Sequence, residues 1–147
     1  MDKKLLTVLQ RQCARREYCS DDIYKKALKA LDGDVDGAQE IVSSLCGEGF
    51  VDDLRYATAF AREKASLTGW GPVKIKFALS AKKIDRATIA GALAEIDPEA
   101  SRDKLGRLLA AKKKSLEGDP QIKLKLIRFA LSRGYDYDEV ASVIDTL

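Results

Sequence analysis

Two stretches of this chain repeat each other, and a repeating chain buries its apolar face against its own copies. Phe77-Ala78-Leu79-Ser80 recurs as Phe129-Ala130-Leu131-Ser132. After a one-residue slip, Ile84-Asp85 corresponds to Tyr135-Asp136. Beyond that, Ile89, Leu93 and Ile96 match Val140, Ile144 and Leu147 with identical internal spacing. The first third follows more loosely, through Ala27-Leu28, Val35-Asp36, Ile41 and Leu45. The pattern divides the chain into units at 1–50, 51–97 and 98–147.

Within the units the apolar spacing is helical. Leu6, Leu9 and Cys13 form one stripe, Leu54, Ala57, Phe60, Ala61 and Ala65 a second, and Leu105, Leu108 and Leu109 a third. Asp36 before Gly37-Ala38-Gln39 and Asp136 before Tyr137-Asp138-Glu139 resemble capping boxes. Asp97-Pro98 and Asp119-Pro120 set a cap before a proline at the first helical position, where the missing N–H costs nothing. Gly71-Pro72 does much the same. Val73-Lys74-Ile75-Lys76-Phe77 and Ile122-Lys123-Leu124-Lys125-Leu126 alternate as strands would. Both follow a proline and run into Ala-Leu stretches, so helix is preferred to a winged-helix sheet. The predicted fold is all-α: three tandem three-helix units, helix-turn-helix-like, stacked into an elongated, curved body. A unit this small buries little alone, so neighbours are expected to share side chains.

Composition narrows the function. With 46% hydrophobic and 33% charged residues the chain is globular. Its 26 basic and 23 acidic residues give a net charge of +3, low for a protein that grips duplex through phosphates alone. Residues 1–50 carry 8 basic and 9 acidic groups, 51–97 carry 8 and 6, and 98–147 carry 10 and 8. The positive balance therefore lies in the last two units. There is no histidine, and Gly69-Trp70-Gly71 lacks the spacing of a phosphate loop. Asp21-Asp22 and Asp52-Asp53 stand at helix starts, where the helix dipole accounts for them. These absences argue against an enzyme, a metal site or a cofactor. Cys13, Cys19 and Cys46 have no metal-ligand spacing and read as reduced thiols of a cytoplasmic protein. No apolar run approaches a membrane span, and Met1-Asp2-Lys3-Lys4-Leu5 leads into an amphipathic pattern rather than a signal peptide.

Four blocks carry a family resemblance. Gly49-Phe50-Val51-Asp52-Asp53-Leu54-Arg55-Tyr56-Ala57 is similar to the signature of the RecX family. Gly69-Trp70-Gly71-Pro72-Val73-Lys74-Ile75, followed by Leu79 and Lys82-Lys83-Ile84, resembles its second block. Arg15-Arg16-Glu17 with Ser20 stands where that family has a double arginine. Phe129-Ala130-Leu131-Ser132-Arg133-Gly134-Tyr135 resembles its C-terminal block. The blocks occur in the family's order over roughly residues 13–140. One departure is an acidic stretch, Leu28-Lys29-Ala30-Leu31-Asp32-Gly33-Asp34, read as a longer loop than the family's compact turn.

The resemblance implies a monomeric negative regulator of the recombinase RecA. Such a protein binds the RecA filament on single-stranded DNA, touches DNA weakly or through RecA, and has no membrane partner. Lys74, Lys76, Lys82 and Lys83 form a candidate patch facing acidic protein or phosphate, although any one of them also fits a solvated helix face. Arg15 and Arg16 point about 100° apart on a helix, so one can pair with a carboxylate while the other binds. Tyr56 and Trp70 are candidate aromatic anchors. For Trp70, packing on the preceding helix is the stronger expectation. Arg55 and Arg62 belong to the helix that carries Tyr56, and Arg133 precedes a left-handed helix stop at Gly134. Two other readings stay open: a direct DNA-binding helix-turn-helix-like module, and a generic helical scaffold.

Overall fold

Three aspartates mark the repeat in the folded chain. Asp34, Asp85 and Asp136, spaced 51 residues apart, each take the N-cap of a closing helix and accept from its first-turn amides. The computed structural model describes every residue, Met1–Leu147. Its nine α-helices fall into three triplets. The first is α1 (Lys3–Arg15), α2 (Ser20–Ala30) and α3 (Val35–Gly47). The second is α4 (Asp53–Glu63), α5 (Pro72–Ala81) and α6 (Arg86–Ala94). The third is α7 (Pro98–Ser115), α8 (Ile122–Ser132) and α9 (Tyr137–Ile144). There are no strands, so both alternating stretches are helical. A π-helical segment, Lys64–Thr68, continues α4 and closes on left-handed Gly69.

The core positions keep a constant register. Ile75 and Leu79 of α5, Ile84 of the turn, and Ile89 and Ala92 of α6 are buried. Leu126, Ala130, Tyr135, Val140 and Val143, each 51 residues on, are buried too. The first helices repeat as well, with Leu9 and Cys13 of α1, Ala57 and Ala61 of α4, and Leu105 and Leu109 of α7 placed 48 residues apart. There is thus no slip inside the second and third units. The matching words Phe77-Ala78-Leu79-Ser80 and Phe129-Ala130-Leu131-Ser132 are one residue out of structural register. Phe77 takes the position of Arg128, on the solvent side.

Other expectations are corrected by the same geometry. The cap of α3 is Asp34, not Asp36, because its carboxylate receives the Gly37 N–H at 3.0 Å. Pro120 does not open α8. Asp119 instead accepts from the Gln121 N–H at 2.8 Å and pairs with Lys125 inside the preceding turn, and the helix starts at Ile122. Apart from these corrections, the acidic loop of the first unit matches the corresponding loops of the other two units, with four residues joining the last two helices of every triplet. Asp32, Lys83 and Gly134 occupy the same left-handed position in these turns, at φ 53°, 59° and 91°.

Each triplet has its own core of seven or eight buried residues rather than a share in a continuous one. Burial of a large aliphatic side chain contributes roughly 1.5–3 kcal/mol, so each core is small. Exchange between the first two is limited to single residues. Val51 packs into the first core, and Cys19, which precedes α2, packs into the second.

Candidate interaction surface

With cores this separate, polar contacts carry much of each seam between triplets, and several candidate residues are occupied there. At the first seam Lys82 Nζ lies 2.7 Å from Asp22 Oδ1, and Lys83 Nζ 3.9 Å from buried Asp21. Asp53 accepts from both the N–H and the hydroxyl of Ser20, at 2.7 and 2.6 Å, which caps α2 from the neighbouring triplet. Arg55 donates to Glu17 at 2.9 Å and to the carbonyls of Gly49 and Phe50. The acidic pairs thus do more than stabilise helix starts, because Asp21 and Asp22 of the first pair and Asp53 of the second reach across the seam. Burial pushes the Asp22 carboxyl up, but bonds from Lys82 and Cys19 outweigh it and leave the group below its ordinary value. The same bond to Asp22 raises Lys82.

The second seam includes two backbone hydrogen bonds. The Gly71 N–H donates to the Arg133 carbonyl at 2.7 Å, and the Val73 N–H to the Gly134 carbonyl at 2.9 Å. Arg133 donates from its guanidinium to the Thr68 carbonyl at 3.2 Å and lies 5.4 Å from the Phe129 ring centroid. Gly134 combines a left-handed backbone with a close approach, since a Cβ there would fall 2.6 Å from the Lys74 nitrogen. Arg133 is therefore a joint residue.

The aromatic candidates are half-buried. Tyr56 stacks on Phe60 at 6.1 Å, and Phe60 meets the edge of Trp70 at 6.2 Å. Burial raises the Tyr56 hydroxyl above its ordinary value. Lys64 and Lys74 carry their ammonium groups 4.9 and 4.6 Å from the Trp70 ring centroid, so the indole is covered by the protein's own cations. The expectation that Trp70 packs on the preceding helix agrees with this placement.

What remains open to a partner is narrower than the predicted set. Arg15 and Arg16 are both exposed at the end of α1 and neither is ion-paired. Arg16 is not half-buried against a carboxylate; it lies 4.6 Å from the Tyr18 ring. Arg62 and Lys76 are exposed and unpaired. The structure does not gather the four candidate lysines into one free patch, because Lys82 is held by Asp22. Lys76 instead flanks two apolar side chains on the outer face of α5, Val73 at 58% and Phe77 at 78% exposure. These two were missed, because the one-residue slip equated Phe77 with half-buried Phe129. A constant 51-residue register would have placed Phe77 outside.

The chain is similar to known proteins in both sequence and structure. The family model described as RecX, second three-helix domain, matches residues 52–93, the segment containing α5 and both exposed apolar residues. The chain is 33% identical over 117 residues to regulatory protein RecX of Clostridium botulinum, covering 76% of this chain and 53% of that protein. The chain belongs to the RecX family. A crystal structure of regulatory protein RecX superposes with a TM-score of 0.88 at 22% identity, over 97% of this chain and 71% of that one. RecX from Lactobacillus salivarius gives 0.86 at 23%, over 99% and 95%. At these identities the two structures establish the RecX fold: all-helical, in tandem three-helix units. The chain spans about half the length of the curated RecX relatives it matches. No helix is long and apolar enough to cross a membrane.

Proposed function

We propose that this chain is a cytoplasmic, monomeric, non-enzymic negative regulator of RecA. It binds RecA filaments on single-stranded DNA and lowers their ATP hydrolysis, strand exchange and coprotease activity. Membership of the RecX family supports the reading, and the curated relatives are named regulatory proteins. The observation that carries it is the outer face of α5. A nearly bare Phe77 beside Val73, flanked by unpaired Lys76, is the make-up of a protein-binding anchor rather than a phosphate-tracking groove. Lys74 and Lys76 add attraction toward an acidic surface or toward DNA held by RecA, while Arg15, Arg16 and Arg62 supply further unpaired charge.

A direct DNA-reading module is less well supported. The first turn of α9 carries Asp138 and Glu139, and that of α3 carries Asp36, which repel phosphate in the place a recognition helix would use. Co-sedimentation with RecA assembled on single-stranded DNA, and with the DNA alone, separates the readings. We expect pelleting with the filament and little with the DNA. Equal pelleting with DNA alone favours the DNA module, and none with either removes the filament reading.

A further inference from the structure

The seam between the second and third triplets contains a cleft that the α5 surface does not use. Its larger chamber, about 320 Å³, lies between the end of α4 with the π-helical segment, the end of α6 and the first turns of α7. A second chamber, about 190 Å³, adjoins it and shares Ala65, Ile96 and Ser101. The larger chamber alone reaches the lower end of the size range of small ligand sites, and the three shared residues make the two chambers neighbouring parts of one groove lining.

The groove exists because the facing positions are small. Ala65 and Ser66 on the π-helical segment face Ala92 on α6 and Ala100 and Ser101 on α7, and none of these reaches across. The π-helical turn itself shifts the register of α4 locally, a feature that recurs at binding sites.

Its charge is organised. Arg62 lines the larger chamber from α4, and Lys104 and Arg107 line it from α7, where a spacing of three residues puts both on one helix face. None of the three is ion-paired. The adjoining chamber is floored by Trp70, Leu93, Ile96 and Pro98. Glu95 and Asp97 also line the larger chamber, and Glu139 the smaller.

We infer that this groove binds a short acidic peptide segment of a protein partner. One carboxylate sits between Arg62, Lys104 and Arg107, and a neighbouring apolar side chain lies over Leu93 and Ile96. An isolated carboxylate gains from three unpaired cations in the larger chamber, where Glu95 and Asp97 still leave one positive charge in excess. A nucleic-acid backbone repeats its charge at every nucleotide and would set successive phosphates against Glu95, Asp97 and Glu139, whereas a single carboxylate can stay beside the cations. The apolar floor has no use for a phosphate and does suit a leucine-like side chain. The inference does not rest on the RecA reading, since its partner is defined only by this chemistry.

The test is amide NMR of the whole chain titrated with a capped four-residue peptide of alternating glutamate and leucine. The same titration is made with the glutamine–leucine counterpart and with octathymidylate. The acidic peptide should move the amides of Ala65, Ser66, Ala92 and Ser101 saturably. The glutamine peptide should bind at least tenfold more weakly. The triple variant Arg62→Ala, Lys104→Ala, Arg107→Ala should lose at least tenfold in affinity for the acidic peptide while its other amides stay in place. The milder Arg107→Gln should lose a smaller part of it. The inference is overturned if these amides do not move, if the triple variant binds as well as the parent, or if octathymidylate moves them more than the peptide does. RecA is absent from every sample, so failure here and failure of the filament reading are separate results.

Discussion

Lys82 and Asp22 meet at 2.7 Å across the seam between the first two triplets, and this pair ties the basic end of α5 to the start of α2. The Asp22 carboxyl titrates below its ordinary value, so its contribution is complete above about pH 4 and is lost as pH falls through the folded value. Lys82 titrates above its ordinary value, so its contribution is complete below about pH 10.4 and is lost as pH rises through the folded value. Lys82 is 41% exposed, which limits the pair to roughly 1 kcal/mol or less. Urea denaturation of Lys82→Ala should show a deficit of that size at pH 7, shrinking near pH 3 and in molar salt. A deficit independent of both pH and salt would mean the side chain acts through packing.

The second seam should be intolerant of a single methyl group. Gly134→Ala places a side chain at φ 91° against Lys74, and the backbone alone costs about 1–3 kcal/mol. Gly71→Ala drives a Cβ into the Gly134 carbonyl and should be comparably damaging. Both variants should unfold earlier in denaturant than the parent.

Lys83 holds the equivalent left-handed position in the preceding triplet, at φ 59°, without being glycine. Its distant contact with Asp21 is worth little. Lys83→Gly should therefore stabilise the chain, by up to about 1 kcal/mol after the entropic cost of glycine. A loss of stability would show that the left-handed lysine is not strained.

The three thiols should differ in reactivity. Cys19 is fully buried, and burial pushes its thiol up to about 11, so little thiolate exists at neutral pH. Cys13 is buried and Cys46 exposed. Burial of part of its surface raises Cys46 as well. Titration of the native chain with a disulfide reagent at pH 7.5 should modify Cys46 slowly and first. Cys13 and Cys19 should react only once urea unfolds their triplets.

Phe77 separates stability from binding. An exposed side chain contributes little to folding, so Phe77→Ala should change stability by no more than about 0.5 kcal/mol. If α5 is the contact face, the same variant should weaken filament binding at least tenfold. Calorimetry and co-sedimentation on one preparation give both numbers.

The helices were legible in the sequence because apolar spacing and aspartate caps act locally. Asp97-Pro98 and Gly71-Pro72 each opened a helix as read, and Gly134 is the left-handed stop that its position after Arg133 suggested. Asp36 and Pro120 misled because a nearer group won in each case. Asp34 already satisfies the Gly37 amide, and Asp119 closes a turn before α8 begins. The site was less legible than the fold. Lys82, Arg55 and Arg133 look like free cations in sequence, and only the folded seams show that Asp22, Glu17 and the Thr68 carbonyl hold them. Lys104 and Arg107 drew no notice, since the cleft they line forms only where α7 folds back against the end of α4.

The most direct test of the regulatory reading is ATP hydrolysis by RecA on single-stranded DNA as this protein is added. The account predicts inhibition at or below stoichiometric amounts. Phe77→Ala combined with Lys76→Ala should need at least tenfold more protein for the same inhibition, whereas Lys82→Ala should act almost as the parent does. No inhibition of a cognate RecA by the parent chain would contradict the regulatory reading. Full inhibition by the double variant at parental concentrations would contradict the assignment of the contact to α5.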